Sequence, residues 1–297
     1  MKLLHYKHSN HLRLGVKVEE GIIDVTSASQ AFGLAAPQTI EEAMAGGEET
    51  AAQLVALIKS ALDETNRSCI LEESKLSFAP VVVNPQKIIC VGLNYRKHAE
   101  ETKAEIPTSP ILFNKFVNAL SAHGDFVELP DTSDEVDYEA ELAIIIGKKA
   151  KNIEEADALD YVFGYSCAND LSARNLQRRT SQWMLGKSCD GFAPIGPYLV
   201  TADEVPSPDQ LSISCSVNGI QKQHSNTADM IFSCREIISY ISKHMTLVPG
   251  DIILTGTPEG VVIGYPRDER VYLQSGDSVT VQIEKLGELT VTMSKAN

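Results

Sequence analysis

The sequence predicts an α+β fold, mostly β, arranged as a mixed sandwich or roll behind a small N-terminal α/β domain. Three observations carry this. From residue 87 onward, short β-branched runs bounded by turn residues outnumber helical patterns. Pairs of these runs are separated by turns more often than by helices, which argues against a doubly wound sheet. The segment 78–85 is flanked by prolines, and residues before proline avoid the helical region. It therefore reads as an extended boundary between a domain at 1–80 and a larger one at 81–297.

The elements follow in order. In the first domain, strands are expected at 2–6, 12–18 and 21–24, with Glu20-Gly21 as a turn, and helices at 40–45 and 50–62. In the second, strands are expected at 88–92, 141–147, 162–168, 198–201, 211–218, 251–255 and 278–284. Helices are expected at 95–103, 153–159, 171–180 and 231–244. Asn218-Gly219 is a strong hairpin turn.

Composition narrows the partners. The 297 residues are 43% hydrophobic and 22% charged, with a formal net charge of −14. That balance argues against nucleic acid and against anionic membrane surfaces, both of which need basic patches. The first ten residues lack the apolar core of a signal peptide. No apolar run approaches the ~20 residues of a membrane span. A cytoplasmic enzyme is the expectation. The six cysteines form no C-x-x-C pair, so buried free thiols are expected.

The chemistry starts at Asp137-Tyr138-Glu139-Ala140-Glu141, followed at once by an apolar, β-branched run. In a strand, Glu139 and Glu141 share one face while Tyr138, Ala140, Leu142, Ile144 and Ile146 share the other. Two neighbouring carboxylates at the head of a buried strand repel each other and are costly to desolvate, and a bound cation resolves both problems. An exposed strand edge is the plainer alternative. Asp170 lies at a strand-to-helix junction and supplies a third carboxylate, or else caps the helix. Three carboxylates without His or Cys suit Mg²⁺ or Mn²⁺ better than Zn²⁺, and Ca²⁺ also meets the donor set.

His98 and Glu101 lie one helical turn apart, the arrangement of a carboxylate that orients an imidazole base. An incidental surface pair has the same spacing. Lys187, between a glycine and a loop, is either a surface charge or an anion clamp. Thr257 sits in a Gly-rich turn after a strand, where backbone N–H groups can cradle an anion; a plain tight turn is the alternative.

Together these segments resemble the fumarylacetoacetate hydrolase family, over about residues 87–287. The motifs are Asn-Tyr-x-x-His-x-x-Glu at 94–101, Asp-Tyr-Glu-x-Glu at 137–141 and Asn-Asp-x-x-Ala-Arg-x-x-Gln at 169–177. Gly-Lys-Ser-x-Asp at 186–190 and Thr-Gly-Thr-Pro-x-Gly-Val at 255–261 complete the set. The resemblance implies a mixed β-sandwich roll, a homodimer, and a metal held by Glu139, Glu141 and Asp170. It implies a catalytic dyad of His98 and Glu101 on a mobile helix. Lys187, Arg174, Gln177 and Thr257 would hold substrate oxygens. The animal enzyme that names the family has a further aspartate ligand before the histidine, whereas residues 81–99 here contain none.

The expected substrate is a small 2-oxo acid. The expected activity is metal-dependent hydrolysis of a C–C bond in an acylpyruvate such as fumarylpyruvate, a reaction of aromatic catabolism. In it, Lys187 balances the developing charge. Oxaloacetate decarboxylation and isomerisation of an unsaturated 2-hydroxy diacid are the alternatives. A non-catalytic metal scaffold is the competing class, and the His98–Glu101 pair argues against it, because a structural site needs no base.

Overall fold

The structure is a computed structural model and describes residues 1–9, 11–63 and 68–295. Its centre is the strand Ala140–Ile146, buried along its whole length. Ala140, Leu142, Ile144 and Ile146 face one hydrophobic core, while Ala143 and Ile145 face a second. Covering both faces is why this strand reads as an unbroken apolar run instead of an alternating one.

The strand lies inside a large sheet. Its main path runs Ile70–Leu71, Gly21–Asp24, His11–Val18, Lys2–His8, Ala193–Thr201, Val162–Asn169, Ala140–Ile146, Ile252–Leu254, Ile88–Gly92, Ile111–Lys115. Neighbours are antiparallel except Ile252–Leu254 with Ile88–Gly92. A five-stranded sheet packs its inward residues, among them Ile213, Cys215, Val279, Val281, Leu289 and Val291, into the first core. Its strand Ser212–Val217 alternates in burial, as a strand with one wet face should. The result is the expected mixed, mostly β sandwich.

The N-terminal strands extend the same sheet, with Lys2 opposite Val200 and Leu3 opposite Leu199. Leu3, Val16, Leu54 and Leu57 share the second core with Ile195, Leu199, Ile252 and Leu254. The two helices expected at 40–45 and 50–62 form one element, Ile40–Asp63, broken at Gly47, whose φ of 55° only glycine takes without strain.

Some elements differ from the sequence reading. The helix expected at 171–180 shrinks to Arg174–Gln177, because Ser172–Ala173 pairs as a strand with Val136–Asp137. The helix expected at 153–159 is a 3₁₀ segment, Glu155–Tyr161. The strand expected at 198–201 begins at Ala193; prolines at 194 and 197 mask its first half. All six cysteines are free thiols. Among the described residues no helix is long and apolar enough to cross a membrane.

Candidate metal and catalytic site

Register builds the acidic cluster. Ala140 pairs with Asn169 on the adjacent antiparallel strand, and Asp170 N–H donates to the Glu139 carbonyl at 2.9 Å. This sets Asp170 beside Glu139 and Glu141. One carboxylate oxygen from each lies within 4.8 Å of the others, and all three residues are buried. Both plainer alternatives, an exposed strand edge and a helix cap, are therefore set aside.

Three cations answer these charges unevenly. Lys187 Nζ donates to Glu139 Oε2 at 2.5 Å and to Asp170 Oδ2 at 2.7 Å. Lys115 Nζ donates to the other Asp170 oxygen and to the Leu171 carbonyl at 3.1 Å. Arg174 donates to Glu139 Oε1 at 2.7 Å, to Asp137 at 2.8 Å and to Gln177 Oε1 at 3.0 Å. Among the described residues Glu141 receives only a backbone N–H, from Gly256 at 2.7 Å.

The titration directions follow. Burial alone would raise Glu139, but Arg174 and Lys187 outweigh it and hold its carboxyl below the usual range. Burial pushes Glu141 well above that range, and the charges of Asp170 and Glu139 push it further. Lys187 is pushed down by burial, yet Asp170 and Glu139 hold it above the usual lysine value. Glu141 is thus the group whose ionisation a divalent cation relieves. Oxygen-only donors that converge, with no cation bonded to Glu141 among the described residues, fit a hard ion such as Mg²⁺ or Mn²⁺.

The dyad faces this cluster across a small cavity. His98 Nδ1 lies 2.8 Å from Glu101 Oε1, and the other Glu101 oxygen accepts from Gly260 N–H at 2.9 Å. With Nδ1 committed to Glu101, Nε2 is the nitrogen left to serve the cavity that His98 lines. The motif residue Asn94 anchors the helix start, donating to the Thr255 carbonyl at 2.7 Å and the Phe232 carbonyl at 3.0 Å. Gly256 packs directly on it: a Cβ there would lie 2.7 Å from Asn94 Cβ.

The cavity measures about 190 Å³ and is lined by His98, Glu139, Glu141, Arg174, Gln177, Lys187 and Thr257. Asp170 and Glu101 stand behind it, each holding a lining residue. A larger open cleft of about 710 Å³, beside Lys17, Glu73 and His123, contains none of them. The residues expected to carry chemistry therefore gather at the smaller space. Sequence reasoning missed Lys115, which is fully buried at the end of the apolar strand Ile111–Lys115. A lysine closing such a strand was the available signal. It also left out Asp137, which fixes Arg174.

Arg174 and Gln177 reach the cavity, but here their hydrogen bonds go to carboxylates and to each other. Gln177 gives its carbonyl to Arg174, which leaves its amide nitrogen for the cavity. Thr257 Oγ1 accepts from Gln223 at 2.9 Å, so its own proton is available to an acceptor there.

Known proteins resemble the chain over most of its length. Residues 87–294 match the family model "Fumarylacetoacetate (FAA) hydrolase C-terminal". The chain is 42% identical over 296 residues, covering 98% of itself and 89% of the relative, to the mitochondrial oxaloacetate tautomerase fahd2 of Xenopus laevis. It is 40% identical over 279 residues, covering 93% of itself and 85% of the relative, to the Homo sapiens oxaloacetate tautomerase FAHD2A. Among solved structures, fumarylacetoacetate hydrolase from Exiguobacterium antarcticum has a TM-score of 0.83 at 32% identity, with 100% of each chain covered. Maleylpyruvate hydrolase from Sphingobium sp. SYK-6, in complex with manganese(II) and pyruvate, has a TM-score of 0.78 at 32% identity with the same coverage. The chain belongs to the fumarylacetoacetate hydrolase family of enzymes.

Proposed function

We propose that the protein is a divalent-metal-dependent enzyme that interconverts the keto and enol forms of a small 2-oxo diacid of the oxaloacetate type. One observation carries this reading: His98, two carboxylates (Glu139 and Glu141) and Lys187 line a cavity of only about 190 Å³, with Asp170 directly behind it on Lys187. The relatives named as oxaloacetate tautomerases, matched over 89% and 85% of their length, support it.

Glu139, Glu141 and Asp170 would hold the metal, which supplies a Lewis acid for the carboxylate and keto oxygens of a 2-oxo acid when bound. The chain's own residues do the rest. His98 Nε2 takes the C3 proton, and the C–H electron pair becomes the C2=C3 bond while the carbonyl pair moves onto oxygen. Glu101 holds the imidazole in the required tautomer and steadies the imidazolium. Lys187 sets a positive charge beside the developing negative oxygen. The proton that His98 took is then delivered to that oxygen, which completes the enol and restores the neutral imidazole; the reverse transfer gives the ketone. The free donors of Gln177 and Thr257 receive the distal carboxylate.

Hydrolysis of an acylpyruvate is the second reading. The same dyad suits activation of water, and the maleylpyruvate hydrolase is a full-length structural neighbour. The two readings separate in one panel. With Mn²⁺ present, enol-oxaloacetate decay is followed by its ultraviolet absorbance, and pyruvate release from oxaloacetate and fumarylpyruvate is followed in parallel. Fast enol decay without pyruvate supports tautomerisation. Pyruvate release from fumarylpyruvate with uncatalysed enol decay replaces it by hydrolysis.

A further inference from the structure

One wall of the cavity is aromatic and takes no part in the proton transfer. Trp183 is the only tryptophan in the chain. It immediately precedes the helix Met184–Lys187, so it stands one turn before Lys187, and both residues reach the same cavity. The indole rests on the backbone of Gly92, where a Cβ would lie 2.6 Å from Cζ3 and 2.9 Å from Cη2. It also meets Phe113 edge-on, with centroids 5.2 Å apart and planes at 65°. Phe113 in turn lies 4.9 Å from Lys187 Nζ, a cation–π distance.

The indole is therefore held on two sides while the residue is half-buried: it packs on the Gly92 backbone and against Phe113, which is tied to the lysine that the carboxylates hold. A ring packed in this way narrows the cavity that it lines. At about 190 Å³ the cavity is well below the ~300–1,000 Å³ of drug-sized sites. A four-carbon diacid suits such a small space, and each added methylene meets the indole that lines it.

We infer that Trp183 sets substrate length: it admits four-carbon 2-oxo diacids and rejects their longer homologues. This rests on the enolisation reading above. The test compares Mn²⁺-loaded wild type, Trp183→Phe and Trp183→Ala on oxaloacetate, 2-oxopentanedioate and 2-oxohexanedioate. Deuterium exchange at C3 is read by NMR and binding by calorimetry, with melting curves to establish folding. Wild type should discriminate against each longer acid. Trp183→Ala should lower the four-carbon to six-carbon ratio by ~10–10²-fold, the scale of one or two methylenes in an apolar pocket, and Trp183→Phe by less. An unchanged ratio in folded variants overturns the inference. If wild type exchanges none of the acids, the enolisation reading falls. The calorimetric ranking then decides Trp183: a preference for the short acid that the alanine variant erases supports it, and a ranking equal in all three proteins overturns it.

Discussion

Glu141 is the least compensated of the buried carboxylates, and its chemistry makes the metal testable. Its value lies above that of an unfolded carboxylate because of burial and the neighbouring Asp170 and Glu139 charges. The metal-free folded chain therefore holds a proton that the unfolded chain has released. This contribution to stability is fully present below the ordinary carboxylate range and is lost as pH rises through the raised folded value. Glu139 runs the other way: its depressed value adds stability above the ordinary range, and that is lost as pH falls through the folded value. A cation on Glu141 takes the place of the proton. The rise in melting temperature on adding Mn²⁺ should thus be larger at pH 8 than at pH 6, by calorimetric scanning; a rise that shrinks with pH contradicts the assignment. Glu139→Ala or Asp170→Ala should each weaken Mn²⁺ binding and abolish turnover, since each removes one of three charged ligands. Titration calorimetry with wild-type affinity in both variants would sink the ligand set. The three carboxylates were legible because strand alternation puts Glu139 and Glu141 on one face. Lys115 was not, because its partner Asp170 is 55 residues away in sequence.

At the scale of elements, legibility followed how local the determinants are. The strand Ile88–Gly92 and the Asn218-Gly219 hairpin carry their signals in adjacent residues, and both stand where the sequence put them. The helix expected at 171–180 failed because its first residues pair with Val136–Asp137, a tertiary preference that no local window contains. The dyad helix was expected over 95–103 and spans Arg96–Glu101; it stops before Lys103, whose φ is +54°. Beyond it the chain through Pro107 is largely exposed. That exposure, beside a buried imidazole, suits a segment that closes over substrate. Hydrogen exchange with Mn²⁺ present should show amides 95–107 gaining protection when oxamate is added. Equal protection with and without oxamate would remove closure from the mechanism.

For the whole molecule, the continuous sheet explains why the site forms at all. Strands from both sides of the 78–85 segment share one core, so the N-terminal 80 residues brace the strands that carry the carboxylates. The prolines at 80 and 85 were visible in the sequence; the pairing of Leu3 with Leu199 across that segment was not, because nonlocal register leaves no local trace. At the opposite edge, Ile111–Lys115 has one neighbour, and Phe116 and Val117 beside it are about half exposed. An open edge with apolar flanks needs cover. Light scattering at micromolar concentration should give twice the 32.3 kDa chain mass, and a single-chain mass would refute the homodimer. The central claim is that a metal at Glu139, Glu141 and Asp170 and a base at His98 together enolise a 2-oxo acid. Its most direct test is deuterium exchange at C3 of oxaloacetate, followed by NMR in chelator-stripped, Mn²⁺-reloaded and Mn²⁺-loaded His98→Ala protein. The account predicts exchange that vanishes on stripping, returns with Mn²⁺ and falls ~10²–10⁴-fold in the variant, as for a lost general base. Full exchange by the stripped protein, or by the variant, would contradict it.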